Sequence, residues 1–572
     1  MGPEMGARAW AGRLWLAAAA LGALAILGFY ASRLLMPLPI FAADEAAYLI
    51  RAIYPPGMVA ADSSVAPLNN GAHLSVIRAA YALAKPLGAS FIVVDRIADA
   101  AAYLAGLALL WRTSMRRIAP PKASTERWAF ALIAIAFPYY RFAFSNLAEG
   151  LYVGVLVLFC LATARWYRSR PLLHGVVGGA LGAALVLVKP NGVAALAALA
   201  VLAVIEAWAS GGWRRLPLRI LLFGVTFFAV GNLIQWAAEE PADHPLAFFV
   251  GDLYSAALGA GTPPAAARAA SLTLASMTAA MALLAGAPVI VGLAEIAGRW
   301  RARRGRFVLE ERDLLFLLLV LTTAATLVMV AVFATKIAFT PSETNRLWGR
   351  YFEFFVPLLW LAAAPALTRP MGRGVALASG AVMFVGLSGL LASLQAGIVL
   401  FPWDSSALTA FYAPDPVRAP LHFAVPYRAL AAAAGLLAAG AVAFRLRPAQ
   451  AGLGLILALS VLSTLLDQAW QGPVVKQRDA LARDIRAIHP ILPSAGDMVV
   501  LAPNPNEGHL LFLGLEARPL VLVGPVAQTL PAYLASAQAV IVAGPEAPPG
   551  AGWTRTFKGE VLSVFRPAAA AP

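Results

Sequence analysis

The chain has 572 residues, of which 60% are hydrophobic and only 13% charged, and its mean hydropathy is +0.75. Such a composition excludes a string of soluble domains and describes a protein whose main solvent is lipid, so the length divides into membrane spans. The formal charge of +15 does not imply a nucleic-acid partner, because arginines that set membrane topology account for it.

Arg8 and Arg13 precede the first apolar run, LWLAAAALGALAILGFYA. The run is long for a signal core and no small-x-small site follows it, so it reads as an uncleaved first helix with a cytoplasmic N-terminus. About thirteen runs approach the spanning length of ~20 residues. They lie near 10–30, 91–111, 128–145, 147–164, 172–188, 191–208, 218–236, 271–294, 313–335, 347–367, 374–396, 425–445 and 450–470. Arginine clusters at 112–127, 165–170, 214–219, 299–306, 369–373 and 445–447 all fall on one side of this arrangement, the cytoplasmic side by the positive-inside rule. The single cysteine, Cys160, lies within an apolar run and reads as a small buried hydrophobe.

The segment GAHLSVIRAAYALAKPLG at 71–88 is also helix-like, but a crossing there would invert the arginine pattern. With Arg78, Lys85, Ser75 and Tyr81 on one side and Val76, Ala80, Leu83 and Leu87 on the other, it reads as an interfacial amphipathic helix. Residues 31–90 thereby become a long external loop. The tail changes character near 476. KQRDALARDIRAIHPIL reads as an amphipathic helix, and DMVVLAP, RPLVLVG and QAVIVAG read as short buried strands separated by EGHLLFLGLEA and TLPAYLASA. The expected fold class is therefore a polytopic α-helical membrane protein, with a transmembrane domain over 1–475 and a small external α/β domain over 476–572. No phosphate-binding loop, dinucleotide fingerprint or catalytic-serine elbow occurs in the tail.

On this topology the outer face gathers the residues suited to chemistry. Asp44 and Glu45 follow the first span in MPLPIFAADEAAYLI, where a carboxylate can act as a general base or anchor a sugar hydroxyl or metal, or simply favour a helix N-terminus. Glu149 sits where two spans meet, a costly place for an ionisable group. Lys189 and Asn191 interrupt LVLVKPNGVAAL. Pro190 and Gly192 make a hairpin there, yet a lysine on the outer face suits a phosphate partner. The stretch KIAFTPSETNRLWGRYFEFFVPLLW brings Lys336, Glu343, Arg346, Arg350, Tyr351 and Glu353. Arg350 and Glu353 are spaced to pair with each other, or Arg350 can serve an anionic headgroup. The acidic pair Glu310-Glu311 reads as cytoplasmic, and Glu239-Glu240 as part of an ordinary external loop. No Asp-x-Asp or paired histidines offer metal-ligand spacing, since His73, His244 and His422 are isolated. A divalent metal remains possible only if Asp44 and Glu149 meet.

In order, these features resemble the GT-C glycosyltransferases. The acidic pair soon after the first helix resembles that superfamily, as does the long external loop ending in an amphipathic segment. FPYYRFAFSNLAEGLYVGVLVLFCLATARW is similar to its fourth- and fifth-helix region, HGVVGGALGAALVLVKPNGVAALAAL to its Gly-rich helix and Lys/Arg-Pro turn, and RLWGRYFEFFVPLLWLAAA to its later Arg-Tyr helix. The likeness covers most of residues 1–370 and the plan of an external C-terminal domain, along the lines of protein O-mannosyltransferases and lipid A aminoarabinose transferases. The chain departs from both at Ala47, where the aminoarabinose branch has an arginine, and at Asn69-Asn70-Gly71-Ala72-His73, where a Lys-Pro-Pro or His-Pro-Pro run is usual.

The resemblance implies a polyprenyl-phosphate-linked sugar donor, and a glycan, lipid or protein acceptor in the envelope. It places the enzyme in a bacterial inner membrane with its site facing the periplasm. Asp44, Glu45 and Glu149 would be the catalytic carboxylates; Arg78, Lys189, Asn191, Arg346, Arg350 and Tyr351 would bind donor phosphate or substrate. A transporter, flippase or polymerase of lipid-linked saccharides is the alternative. A transporter should place charges near mid-bilayer and often shows repeat symmetry.

Overall fold

The computed structural model describes residues 3–41, 44–54, 70–116, 123–238, 264–302, 309–337, 345–369, 371–401, 403–411, 448–493, 497–502, 505–515, 520–523, 534, 537–544 and 552–568. Helices dominate. In chain order they are α1 (Pro3–Ala31), α2 (Asp44–Ile53), α3 (Gly71–Leu87), α4 (Phe91–Met115), α5 (Ala123–Ala136), α6 (Tyr140–Ala143), α7 (Glu149–Trp166) and α8 (Pro171–Val188). Then follow α9 (Gly192–Ser210), α10 (Leu216–Ala237), α11 (Pro264–Ala302), α12 (Glu311–Ile337), α13 (Phe355–Leu367), α14 (Arg373–Gln395), α15 (Pro448–Ile488) and α16 (Pro505–Gly514).

Among the described residues, nine helices are long and apolar enough to cross a membrane, and they match nine of the thirteen expected runs. The run at 425–445 lies outside the described residues, as do Glu343, Glu239-Glu240, His244, His422 and residues 529–533. Three runs differ for identifiable reasons. The run at 91–111 is the helix α4, but it carries Asp95, Arg96 and Asp99, all fully buried against protein. That at 128–145 breaks at Pro138 into α5 and the single-turn α6. That at 347–367 starts as a 3-10 turn at Gly349–Tyr351 and only then becomes the thirteen-residue α13.

The bundle core is large-residue and aromatic between the C-terminal end of α5 and the start of α7, where Tyr103, Tyr139, Tyr140, Phe142 and Phe354 stack in edge and tilted contacts. Helix α3 packs against α2, α4, α8 and α10. Its buried stripe is Leu74, Ile77, Ala80 and Ala84, whereas Leu83 and Leu87 point outward. The buried face is thus rotated from the one expected, because α3 buries the side that meets the bundle and leaves the other side apolar as well.

A buried ionic cluster ties the two ends of the membrane region together. Asp467 of α15 lies 3.0 Å from Arg33 and 2.6 Å from Arg141, with all three side chains buried. Gln471 also accepts from Arg33.

Helix α15 continues as one 41-residue rod through the expected boundary at 475/476 and leads into a five-stranded sheet. Its strands are β1 (Asp497–Leu501), β2 (Leu520–Val523), β3 (Ala537–Ala543), β4 (Trp553–Lys558) and β5 (Leu562–Pro567), in the order β2-β1-β3-β5-β4. The first three are parallel, with Val499 opposite both Val521 and Val540. The β4–β5 hairpin, which the sequence reading missed, adds two antiparallel strands beside β3. One face of this sheet, α16 and the end of α15 share a core with α2 and α3: Leu49, Ile50, Leu74 and Ile77 pack in the same cluster as Leu510, Phe512 and Ile541.

Candidate active site

Four short features converge to build the site. Asp44 is the first residue of α2, where a carboxylate is favoured by the helix dipole. Glu149 opens α7, and its depth is set by the next residue. A Cβ on Gly150 would stand 2.5 Å from the Asp99 carbonyl oxygen of α4, so only glycine lets the start of α7 sit this close. Lys189 caps the end of α8 in extended conformation before Pro190 forbids further helix. Arg350 and Tyr351 lie in the turn before α13.

That turn is held by a second strand of chain. Arg346 makes a two-nitrogen ion pair with both oxygens of Asp404 and lies over the rings of Trp348 and Phe401. Glu353, fully buried, accepts from the backbone N–H of Ser406 at 2.7 Å, the Ser406 hydroxyl at 2.7 Å, the Ala407 N–H at 3.2 Å and the Ser405 hydroxyl. Gly349 fits between them because a side chain there would meet Glu353 at 2.8 Å and the Asp404 carbonyl at 2.9 Å. The Arg350 carbonyl accepts from the Tyr139 hydroxyl at 2.6 Å. Arg350 is therefore fixed from its backbone outward, and its side chain is aimed rather than tethered.

The four features bring Asp44, Glu149, Lys189, Arg350 and Tyr351 together. Arg350 Nη2 lies 2.7 Å from Asp44 Oδ2 and donates to the Tyr351 hydroxyl at 2.9 Å, while its Nε is 3.9 Å from Glu149 Oε1. Lys189 Nζ pairs with Glu149 Oε1 and sits 4.4 Å above the Tyr351 ring. The two carboxylates differ in access: the Asp44 side chain is 44% exposed, that of Glu149 only 4%. The positive charge of Arg350, followed by its hydrogen bond and by Lys189 and Arg346, holds the Asp44 carboxyl below the usual range against the opposing effect of burial. Burial, and then the charge of Asp44, push the Tyr48 hydroxyl up, so that it stays a neutral donor beside the site.

Other expected site residues lie elsewhere. Glu45, expected as a catalytic partner of Asp44, is fully buried with its back to the cluster. It accepts from the N–H groups of Ile40 (3.2 Å), Phe41 (2.8 Å) and Asn146 (3.0 Å) and faces Arg96 at 3.4 Å. It is a structural carboxylate. Arg78, expected on the lipid phosphate, donates instead to the carbonyls of Ala52 (2.8 Å) and Ala238, tying the ends of α2 and α10. Asn191 is buried two residues beyond Lys189, and its Nδ2 has no hydrogen-bond partner among the described residues. Arg350 and Glu353 face different partners rather than each other. Sequence reasoning missed Asp404, which only its place in an external polar loop could have flagged, and Tyr48, one helical turn after Asp44.

A shared divalent ion does not fit. Although Asp44 and Glu149 do meet, the Arg350 guanidinium lies between them. Among the described residues no group of three or more His, Cys, Asp or Glu is placed to hold a metal.

His73 stands behind the cluster. It is fully buried and edge-on to Tyr48 at 5.3 Å, with the Asn146 backbone beside its ring and no side-chain hydrogen-bond partner among the described residues. Burial lowers its pKa from 6.5 to about 4, with Glu149 and Lys189 exerting opposing smaller effects. The unfolded chain therefore holds more protons than the folded one between those values, and stability falls as pH drops through this window, by about 2 kcal/mol at pH 5. His73→Phe, which keeps the contact with Tyr48, is expected to remove this part of the acid sensitivity. Thermal midpoints at pH 7.5 and 5 for both proteins check it; an unchanged difference would show that His73 does not titrate in this way.

No protein-family model matches the sequence, and no curated protein does. Two crystal structures do resemble the chain. ArnT from Cupriavidus metallidurans bound to undecaprenyl phosphate has a TM-score of 0.51 at 16% identity, covering 98% of this chain and 99% of that one. The apo form of the same ArnT has a TM-score of 0.49 at 18% identity, covering 99% and 100%. The chain thus shares the overall fold of ArnT over nearly its whole length, and among its described residues nine helices are long and apolar enough to cross a membrane.

Proposed function

We propose that this protein is an integral-membrane glycosyltransferase that moves a sugar from a polyprenyl-phosphate donor to a hydroxyl of an envelope glycan, lipid or protein. It acts on the periplasmic face of a bacterial inner membrane, with the N-terminus cytoplasmic. The observation that carries this reading is the pairing of one accessible carboxylate, Asp44, with two cations, Arg350 and Lys189, backed by a buried one, Glu149. The undecaprenyl phosphate bound by ArnT, a protein of the same fold, supports a lipid phosphate as the anion those cations await.

In this mechanism Asp44 accepts the proton of the acceptor hydroxyl as its oxygen attacks the anomeric carbon. The bond from that carbon to the phosphate oxygen breaks, and its electron pair leaves with the polyprenyl phosphate. The phosphate gains a negative charge, which Arg350 and Lys189 stabilise in place. A single displacement inverts the anomeric centre. Glu149 fixes the two cations, and Tyr351 supports them through its ring and hydroxyl. The loop expected over 31–90 and the domain expected over 476–572 would then lie on the same side of the membrane as the site.

Purified full-length protein should bind undecaprenyl phosphate and transfer sugar from at least one member of a panel of polyprenyl-phosphate sugars. Arg350→Ala and Lys189→Ala should each weaken lipid binding about tenfold or more, the loss of a charge-assisted contact. A wild-type protein that binds no polyprenyl phosphate and transfers from no donor would remove this reading and favour a transporter or polymerase.

A further inference from the structure

Arg350 has two anions to choose between. Its Nη2 is held by Asp44 at 2.7 Å, yet its Nε donates no hydrogen bond among the described residues and only approaches Glu149, at 3.9 Å. The guanidinium is thus bound mainly through its contacts with Asp44 and Tyr351. Of its two carboxylates, Asp44 is the exposed one and Glu149 the enclosed one, already paired with Lys189. An anion entering from outside therefore meets the Asp44–Arg350 pair first. A phosphate offers more charge than a carboxylate and matches the guanidinium fork. The pair is open on its Asp44 side, where the carboxylate is 44% exposed, so a phosphate can reach the guanidinium and take the carboxylate's place.

The same ion pair makes Asp44 a poor base. A carboxylate neutralised by an adjacent guanidinium gives up its affinity for a proton, which agrees with the lowered position of the Asp44 carboxyl. We propose that the donor phosphate and Asp44 compete for Arg350, so that seating the donor releases Asp44 and turns it into the base for the acceptor hydroxyl. This deepens the glycosyltransferase reading above and rests on it. It makes donor binding precede acceptor activation, with one arginine serving as lock before the donor arrives and as phosphate clamp afterwards. Glu149 and Lys189 keep the arginine in register during the exchange.

The competition has an unusual signature: removing the catalytic carboxylate strengthens binding of the lipid phosphate. With purified full-length protein and undecaprenyl phosphate as probe, Asp44→Asn and Asp44→Ser should both bind about threefold to tenfold more tightly than wild type, as removal of a competing carboxylate allows. Both should lose sugar transfer, and the gain in affinity should shrink at high salt. Arg350→Ala should lose binding whichever residue stands at 44. Two variants of different size guard against a folding defect in either, which elution profile and thermal midpoint would reveal. Equal or weaker lipid binding in both Asp44 variants would overturn the competition while leaving the glycosyltransferase reading intact. A wild-type protein that fails to bind undecaprenyl phosphate would overturn that reading and this inference with it.

Discussion

Asp44→Asn is expected to lower sugar transfer by on the order of a hundredfold to ten-thousandfold, the usual contribution of a positioned general base. The substitution is nearly isosteric. The amide can still accept from Arg350 through its oxygen, so the turn at Gly349–Tyr351 and the helix α2 should persist. What disappears is the capacity to take a proton. Asp44→Glu is the informative companion: it keeps the carboxylate but lengthens it by a methylene, against an arginine fixed from the backbone outward, and should retain part of the rate. The comparison is made on purified protein with a donor already shown to support transfer. Turnover of Asp44→Asn equal to wild type would remove Asp44 from the chemistry, and Glu149 is too enclosed to replace it at the acceptor.

The largest effect on stability is expected at Asp467, outside the Asp44–Arg350 cluster. Its carboxylate is the shared counter-charge of Arg33 and Arg141, both buried. Asp467→Ala would take away the carboxylate that both buried guanidinium groups face. Breaking a buried pair in this way costs about 3–5 kcal/mol, and here one carboxylate serves two cations. Asp467→Asn should cost less, because the amide oxygen can still accept from one arginine. Thermal unfolding in detergent, followed by intrinsic fluorescence, reads both. A loss under about 1 kcal/mol for Asp467→Ala would mean that water or neighbouring carbonyls already solvate the arginines, and that the cluster does not hold α1, α6 and α15 together.

The sequence carried the spans and the placement of the main charges, because in a chain this apolar an ionisable residue at a helix end is conspicuous. Asp44, Glu149, Lys189 and Arg350, which the structure brings together, stood out for that reason. What could not be read was direction. Asp44 and Glu45 are chemically similar neighbours, but adjacent residues on a helix point about 100° apart. One therefore meets the cations while the other turns into the protein, where it is met by three N–H groups and Arg96. Arg78 was misplaced for a similar reason: its carbonyl partners, at Ala52 and Ala238, come from distant parts of the chain. The charges within α4 were passed over because a window of hydropathy averages them away, and only the fold supplies their surroundings. The β4–β5 hairpin escaped because its outer strand, Trp553–Lys558, is mostly solvent-exposed and alternates weakly.

The shared core of α2 and α16 bears on how such a protein becomes competent as it is made. Asp44 begins a ten-residue helix whose inward residues, Leu49 and Ile50, pack in one cluster with Leu510, Phe512 and Leu513, and Tyr54 meets Phe512 edge-on at 4.8 Å. The ribosome delivers α2 early and its packing partner very late. A chain arrested between the two would hold its membrane spans and lack the surface that seats Asp44. Insertion into the bilayer and readiness for chemistry are thereby separated in time, because a segment synthesised long after α2 completes the seat of Asp44.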